Sequence, residues 1–219
     1  IEEHRQKRVK VVKSLEFVND IILTNMTFLH IVPISFYTYS QLPLLDDSFI
    51  EKIKTSLRPI GAQSYDSRYN FEGYQMFERN FSEGTTEAYT QVFRNGIIEF
   101  FTHSFHSQNN MGKDSFQLGW FEIAMIDCVR SAIEIYRNNN IQPPFIVQIT
   151  ILDLLERFID TRGAYNTWHF RFMSNDLFVP NIMIQDYDVD IAKEMKVPFD
   201  MIWQSAGCKQ SPYYNAAGI

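Results

Sequence analysis

Apolar and polar positions alternate with two different periods along this chain, and the switches between them outline the elements. Residues 2–23 carry Val11, Leu15, Val18 and Ile22 at a 4-3-4 spacing with the charges between them, which predicts an amphipathic helix. Met26–Phe36 is a nearly continuous apolar run and reads as a buried strand. Pro33 cannot donate to a ladder and is expected at a bulge, an edge or the strand end. Ser48 is expected to cap a short helix over Phe49–Leu57 that stops before Pro59.

Arg68–Glu78 alternates as one strand, and a turn follows at Ser82–Thr85. Two further β-rich runs, Glu87–Arg94 and Ile97–Phe105, flank Asn95-Gly96, the strongest short-range hairpin signal. A two-residue turn there sets Arg94 opposite Ile97, Phe93 opposite Ile98 and Val92 opposite Glu99. Arg94 then lies diagonal to Glu99 and is expected to form a cross-strand ion pair with it. An outward-facing Arg94 beside Phe93 and Tyr89 is the alternative, a partner contact.

Ser115 is expected to cap a long helix over 116–138, apolar on more than one face and therefore packed on two sides. Phe145–Leu152 is a second strong strand, and 154–161 is ambiguous. Asn166–Phe172 and Val179–Gln185 read as returning strands. Asp188 is expected to cap a helix to Lys196. Pro198 then starts another, with Phe199, Ile202, Trp203 and Ala206 on one face, ended by Gly207. The expected architecture is α+β: a mixed, mainly antiparallel sheet built on a central meander, packed against one long helix and a C-terminal helix. The expected division is a connector helix over 1–24, one α+β domain over 25–208, and an unanchored tail over 209–219.

Composition sharpens this picture little. The chain has 219 residues, 45% hydrophobic and 21% charged, which suits one large domain or a domain plus an appendage and excludes disorder. The 19 Phe and 11 Tyr favour a substantial sheet. No apolar run reaches the ~20 residues of a membrane span, so no membrane partner is expected. Cys128 and Cys208 are far apart and are expected to be free thiols of a reducing cytoplasm. The chain begins at Ile1 rather than Met and is expected to be a piece of a longer protein. Net charge is −6, yet the first thirteen residues hold Arg5, Lys7, Arg8, Lys10 and Lys13 against Glu2 and Glu3, locally +3 on a −9 remainder. That basic helix is either a solvated face or a surface beside nucleic acid.

Motifs for chemistry are thin. His103-x-x-His106 points to opposite faces of a strand unless the chain turns there. Asp186-Tyr-Asp188-Val-Asp190 opens like a calcium loop, but the sixth and twelfth places hold Ile191 and Val197, where glycine and an acid are needed. Glu194-Met-Lys196 has a nuclease-like spacing in a helical pattern. No nucleophile elbow, phosphate-cradling glycine loop or paired-cysteine metal motif occurs. No catalytic residue, metal ligand or cofactor is therefore expected.

Five stretches carry a resemblance. Tyr89-x-Gln-Val-Phe-Arg-Asn-Gly-Ile-Ile-Glu99, Arg68-x-Asn-Phe-Glu-Gly73 and Phe199-Asp-x-x-Trp203-Gln-x-Ala-Gly207 resemble the C-terminal region of bacterial proteins that begin with a Schlafen AlbA-type DNA-binding domain. His30-Ile-Val-Pro-Ile-Ser35 and Ile1-Glu-Glu-x-Arg5 resemble the segments after that domain. The resemblance implies a multidomain parent whose DNA-binding part lies upstream, and it brings no catalytic motif. The function it implies is a non-catalytic regulatory, sensing or oligomerisation domain in transcription control or phage defence. Its partners would be the DNA-binding domain of the same chain, a second copy, and nucleic acid through the parent. Arg5, Lys7, Arg8, Lys10, Lys13 and Arg94 are the candidate nucleic-acid-proximal or interface residues. The alternative is a metal-dependent hydrolase or nuclease with a site gathered from His103, His106, Asp186 and Asp188. A small-ligand sensor with an aromatic-lined pocket is a third option.

Overall fold

The Asn95-Gly96 pair does turn the chain, but with a different register from the one expected. The computed structural model describes residues 2–13, 25–37, 45–80, 85–108, 112–160 and 170–214. Strand β4 (Thr85–Phe93) pairs with β5 (Ile98–Thr102), with Val92 opposite Ile98 and Gln91 opposite Glu99. The loop is a three-residue one. Gly96 N–H donates to Phe93 O and Phe93 N–H donates to Ile97 O, while Gly96 takes φ +84°. A tight turn followed by a left-handed glycine is the usual three-residue hairpin loop. It adds one residue on the Arg94 side, so Arg94 leaves the ladder and is not diagonal to Glu99.

The second departure is an extra hairpin. Arg68–Glu78 is not one strand: β2 (Asp66–Tyr69) and β3 (Gly73–Asn80) fold back on each other around Asn70–Gly73. Asn70 Oδ1 accepts Gly73 N–H at 2.7 Å, a side-chain closure typical of asparagine in turns. Gly73 is required there, since a Cβ would sit 2.0 Å from the Val92 carbonyl oxygen.

Strand β1 (Thr27–Pro33) runs down the centre, between β5 and β8 (Phe145–Ile151). Pro33 is its last residue, and it lies beyond the reach of β5, whose pairing with β1 stops at Ile31. Short strands β10 (Leu177–Phe178) and β11 (Ile182–Ile184) add to β8. The large sheet runs β10-β8-β1-β5-β4-β3-β2, and every described pairing in it is antiparallel. The parallel pair of this α+β fold belongs to a smaller sheet, where β7 (Asp114–Phe116) lies between β6 (His106–Gln108) and β9 (Phe158–Ile159).

Period-two alternation sends one set of residues to each face of the large sheet. Leu29, Ile31, Val92, Ile98, Phe100, Val147 and Ile149 form the inner face, packed under α2 (Asp47–Ser56), α3 (Leu118–Asn138) and α4 (Ile191–Ser205). Leu118, Phe121, Met125 and Val129 mark the buried stripe of α3. Helix α2 is capped by Asp46, two residues before the expected Ser48, and α3 starts after Gln117 because Ser115 is inside β7. Helix α4 is one continuous helix capped by Asp190. Pro198 stands within it, so the expected break after Lys196 does not occur.

The outer face is covered by α1 (Glu2–Lys13), where Val9 joins Met26, Phe28, Tyr89, Phe101 and Leu152. The expected continuation of that helix through Leu15, Val18 and Ile22 lies outside the described residues, as do Ser82–Gly84, 109–111, 161–169 and 215–219. The described part of the tail is anchored: Ser211 is fully buried and Tyr214 packs into the core against Phe199.

Candidate functional site

One straight line of polar residues crosses the outer face of the sheet. The registers place Arg68 beside Gln75, Gln75 beside Gln91, Gln91 beside Glu99, Glu99 beside His30, and His30 beside Gln148. Gln75, Gln91, Glu99, His30 and Gln148 are at most 1% exposed. Charged and amide side chains are seldom buried this completely without partners. Here the partners come from neighbouring strands, from the β2–β3 turn and from α1.

Glu99 is the hub. Its Oε1 accepts from Arg8 Nη2 at 2.8 Å and from the Tyr89 hydroxyl at 2.8 Å. Its Oε2 accepts from Arg8 Nε at 2.9 Å and lies 2.7 Å from His30 Nε2. The Arg8–Glu99 contact is thus a two-point fork, the geometry that a planar guanidinium fits best. Arg8 reaches further, to Glu72 Oε2 at 3.2 Å, and its guanidinium lies 4.8 Å from the centre of the Phe93 ring.

Burial alone would raise the Glu99 carboxyl. The Arg8 charge and the hydrogen bonds from Arg8 and His30 outweigh it and hold the group well below the usual carboxylate range. Burial and the Glu99 charge together push Tyr89 up, so its proton stays on the phenol. His4 on α1 meets His30 edge to face at 5.8 Å. Burial, then the nearness of His30 and Arg8, lowers His4 to about 4, against a weaker opposing pull from Glu99. At neutral pH the Glu99 carboxylate, the Arg8 guanidinium, a neutral Tyr89 phenol and a neutral His4 therefore meet here. The row is not fully satisfied: Gln75 Nε2, His30 Nδ1 and Gln148 Oε1 have no hydrogen-bond partner among the described residues.

The β2–β3 turn continues the cluster to the surface. Arg94 holds both of its central carbonyls. Its backbone N–H donates to Glu72 O at 2.8 Å, and its Nε donates to Phe71 O at 3.0 Å. Phe71 stands 97% exposed at the tip, beside a recess of about 570 Å³ lined by Phe71, Glu72, Phe93, Arg94 and Asn95.

The expected candidate residues therefore divide. Arg5 and Arg8 turn inward, Arg5 donating to Val179 O at 2.9 Å with its guanidinium over Phe178. Neither is available to a nucleic acid in this docked form. Lys7 and Lys10 occupy the outward face of α1, and Arg94 is exposed. Lys13 ends the helix, with its side chain outside the described residues. The expected Arg94–Glu99 pair is replaced by Arg8–Glu99, because the longer loop leaves Glu99 facing α1.

The scattered hydrolase residues are not gathered. His106 packs edge to face on Phe116, and burial, then Arg157 and His103, lower it to about 3. Asp188 pairs with Arg137 of α3, and Asp186 accepts the Asp188 N–H at 3.2 Å. Glu194 and Lys196 lie on α4, where Lys196 pairs with Asp200 at 2.6 Å. Among the described residues no group of three His, Cys, Asp or Glu could hold a metal ion. Cys128 and Cys208 are free, half-buried thiols that burial pushes up.

A second buried acid went unremarked in the sequence. Glu122 of α3 accepts from Trp203 Nε1 at 2.6 Å and from the Ser211 hydroxyl at 2.9 Å. Burial raises its carboxyl to about 7, with Asp200 adding to the rise and the two hydrogen bonds opposing it. Its signal was present: Glu122 stands one helical turn after Leu118 and three residues before Met125, on the apolar stripe.

Comparison with protein-family models, with curated proteins and with solved structures finds no match. No described helix is long and apolar enough to cross a membrane.

Proposed function

We propose that this chain is a non-catalytic regulatory and assembly domain of a bacterial, cytoplasmic DNA-binding protein, and that α1 links it to the DNA-binding module of the same parent. Transcription control or phage defence would be its setting. The observation that carries the reading is the Arg8–Glu99 fork, which latches α1 onto the sheet through a fully buried carboxylate. The acid–base side chains of the row are engaged in this latch: Glu99, His30 and Tyr89 bond to one another or to Arg8.

Two further facts support the reading. The row under α1 keeps three buried polar atoms without partners among the described residues. Such a group costs about 1–3 kcal/mol, and of the three, His30 Nδ1 lies on the residue that α1 meets through His4, so the docked helix stands over an incompletely satisfied site among the described residues. Three of the five stretches that carry the resemblance also converge here, while Phe199–Gly207 belongs to α4 and its end, against the other face. Tyr89, Gln91 and Glu99, then Asn70 and Glu72, then His30 all belong to the row or its rim.

The test is a parent protein bearing Arg8→Met. The expected result is a freed α1, seen as faster hydrogen exchange over residues 2–13, together with altered DNA affinity or oligomeric state. Freed α1 with both properties unchanged would sink the regulatory reading. A stoichiometric metal in the purified domain, lost on His103→Ala, would put the hydrolase in its place.

A further inference from the structure

Strand β2 is the last strand of the large sheet, and among the described residues nothing pairs with its outer edge. All four of its residues, Asp66, Ser67, Arg68 and Tyr69, are exposed. A free edge is a template for another strand, and natural proteins either blunt it or use it. The sequence of this edge is complementary to itself.

Two copies joined edge to edge by a two-fold axis normal to the sheet keep their faces aligned. A residue can then oppose only a residue of the same face, so the axis passes through a residue, and Ser67 and Arg68 are the two positions that pair the most of this four-residue strand. An axis through Arg68 puts two guanidinium groups directly opposite each other, which is unfavourable. An axis through Ser67 places Asp66 opposite Arg68 of the second copy, and does so twice. On the other face it places Tyr69, 54% exposed, opposite the half-buried Tyr65 of that copy. Charge thus selects one register, and an aromatic cross-strand pair accompanies it on the opposite face.

We propose that the β2 edge joins two copies of this chain, antiparallel and centred on Ser67, into one sheet continuous across the dimer. Arg68 is already held in place for this contact. Its Nε and Nη2 lie 3.2 and 3.1 Å from Gln75 Oε1, and its guanidinium stands over the Phe77 ring. Its Nη1 has no partner among the described residues and serves the incoming carboxylate. The inference rests on the assembly part of the reading above and names its surface.

The test uses the full chain in size-exclusion chromatography with light scattering over a range of concentrations. Wild type is expected to show a concentration-dependent dimer. Asp66→Arg and Arg68→Asp each create two like-charge pairs and are expected to weaken it at least tenfold, while the double swap Asp66→Arg/Arg68→Asp restores it. Ser67→Cys is expected to give a disulfide-linked dimer on mild oxidation, because residues opposed on an antiparallel pair have Cα atoms about 4.5–5.5 Å apart, within disulfide reach. Wild type, with Cys128 and Cys208 only, is oxidised alongside. A dimer indifferent to Asp66→Arg overturns this edge while sparing assembly by another surface. A monomer at every concentration, with no Ser67→Cys cross-link, overturns the edge and the assembly reading together but leaves the α1 latch untouched.

Discussion

Replacing Arg8 by methionine isolates the latch. Methionine keeps much of the aliphatic volume and removes the charge. It leaves Glu99, fully buried, with the His30 contact at 2.7 Å and the Tyr89 bond at 2.8 Å as its partners among the described residues. Breaking one side of a buried ion pair costs about 3–5 kcal/mol, because the surviving charge keeps its desolvation penalty. Against a whole-domain stability of about 5–15 kcal/mol that is a large fraction. The sign with pH follows from the same groups. In wild type Glu99 is held below its unfolded value, so its contribution is present above the ordinary carboxylate pKa and lost as pH falls through the folded value. Without Arg8, burial raises the carboxyl instead, and stability falls as pH rises. The cost of Arg8→Met is therefore larger at pH 7 than at pH 4.5. Urea unfolding at both pH values measures it, and hydrogen exchange reports whether α1 detaches first. Arg8→Met/Glu99→Gln is expected to recover most of the loss, since it removes the orphaned charge as well. A loss under about 1 kcal/mol at pH 7, or a double variant as weak as the single one, refutes this account of the latch.

Glu122→Gln imitates the protonated acid: its amide oxygen still accepts from Trp203, and its NH2 donates to the Ser211 hydroxyl in place of accepting from it. With the folded carboxyl raised to about 7, wild type loses up to about 3 kcal/mol between pH 4.5 and 7.5, and the variant does not. The difference between their urea midpoints across that range checks it, and parallel pH profiles would count against it. His4 and His106, both lowered, act in the opposite sense in both proteins and cancel in that difference. Gly73→Ala is expected to cost about 3 kcal/mol or more, because the added carbon meets the Val92 carbonyl oxygen at 2.0 Å. A loss below 1 kcal/mol in a urea melt would mean the β2–β3 turn shifts freely.

The apolar runs announced the interior of this fold. β1, β8, the hairpin strands and α3 were legible because a buried strand or helix face needs many apolar residues in a fixed period. What failed depended on single residues. Asn-Phe-Glu-Gly at 70–73 has the asparagine and glycine of a tight turn, but Tyr69, Phe71 and Tyr74 continue a strand-like composition through it. The hairpin register turned on one loop residue, and a one-residue change flips which side chains face which neighbours. That slip alone hid the site, because Arg94 took the role that belongs to Arg8. The basic N-terminal helix showed its charge and not its orientation, since Arg5 and Arg8 differ from Lys7 and Lys10 only in which way they turn. Polar residues inside apolar runs were the missed signal: His30 within Phe-Leu-His-Ile-Val and Glu99 within Ile-Ile-Glu-Phe-Phe.

The latch and the edge strand share a residue pair, and this ties their energies. Arg8 contacts Glu99 in the sheet and Glu72 in the β2–β3 turn, at 2.8 and 3.2 Å. Arg94 bonds to the Phe71 and Glu72 carbonyls of the same turn. Undocking α1 therefore frees Glu72 and loosens the hairpin that carries β2. Anything that orders the β2 edge must, by reciprocity, favour docked α1 to the same extent. The size of the effect is bounded by the connecting contact. Glu72 is 38% exposed at its side chain, and a half-exposed ion pair is worth no more than about 1 kcal/mol, so the coupling is at most about fivefold in dimer affinity. Glu72→Gln is the variant that reads it, since it leaves the Arg8–Glu99 fork and the β2 edge intact. It is expected to make dimer affinity insensitive to Arg8→Met, and a dimer that still weakens when Arg8 is replaced in that background would place the coupling in the sheet itself.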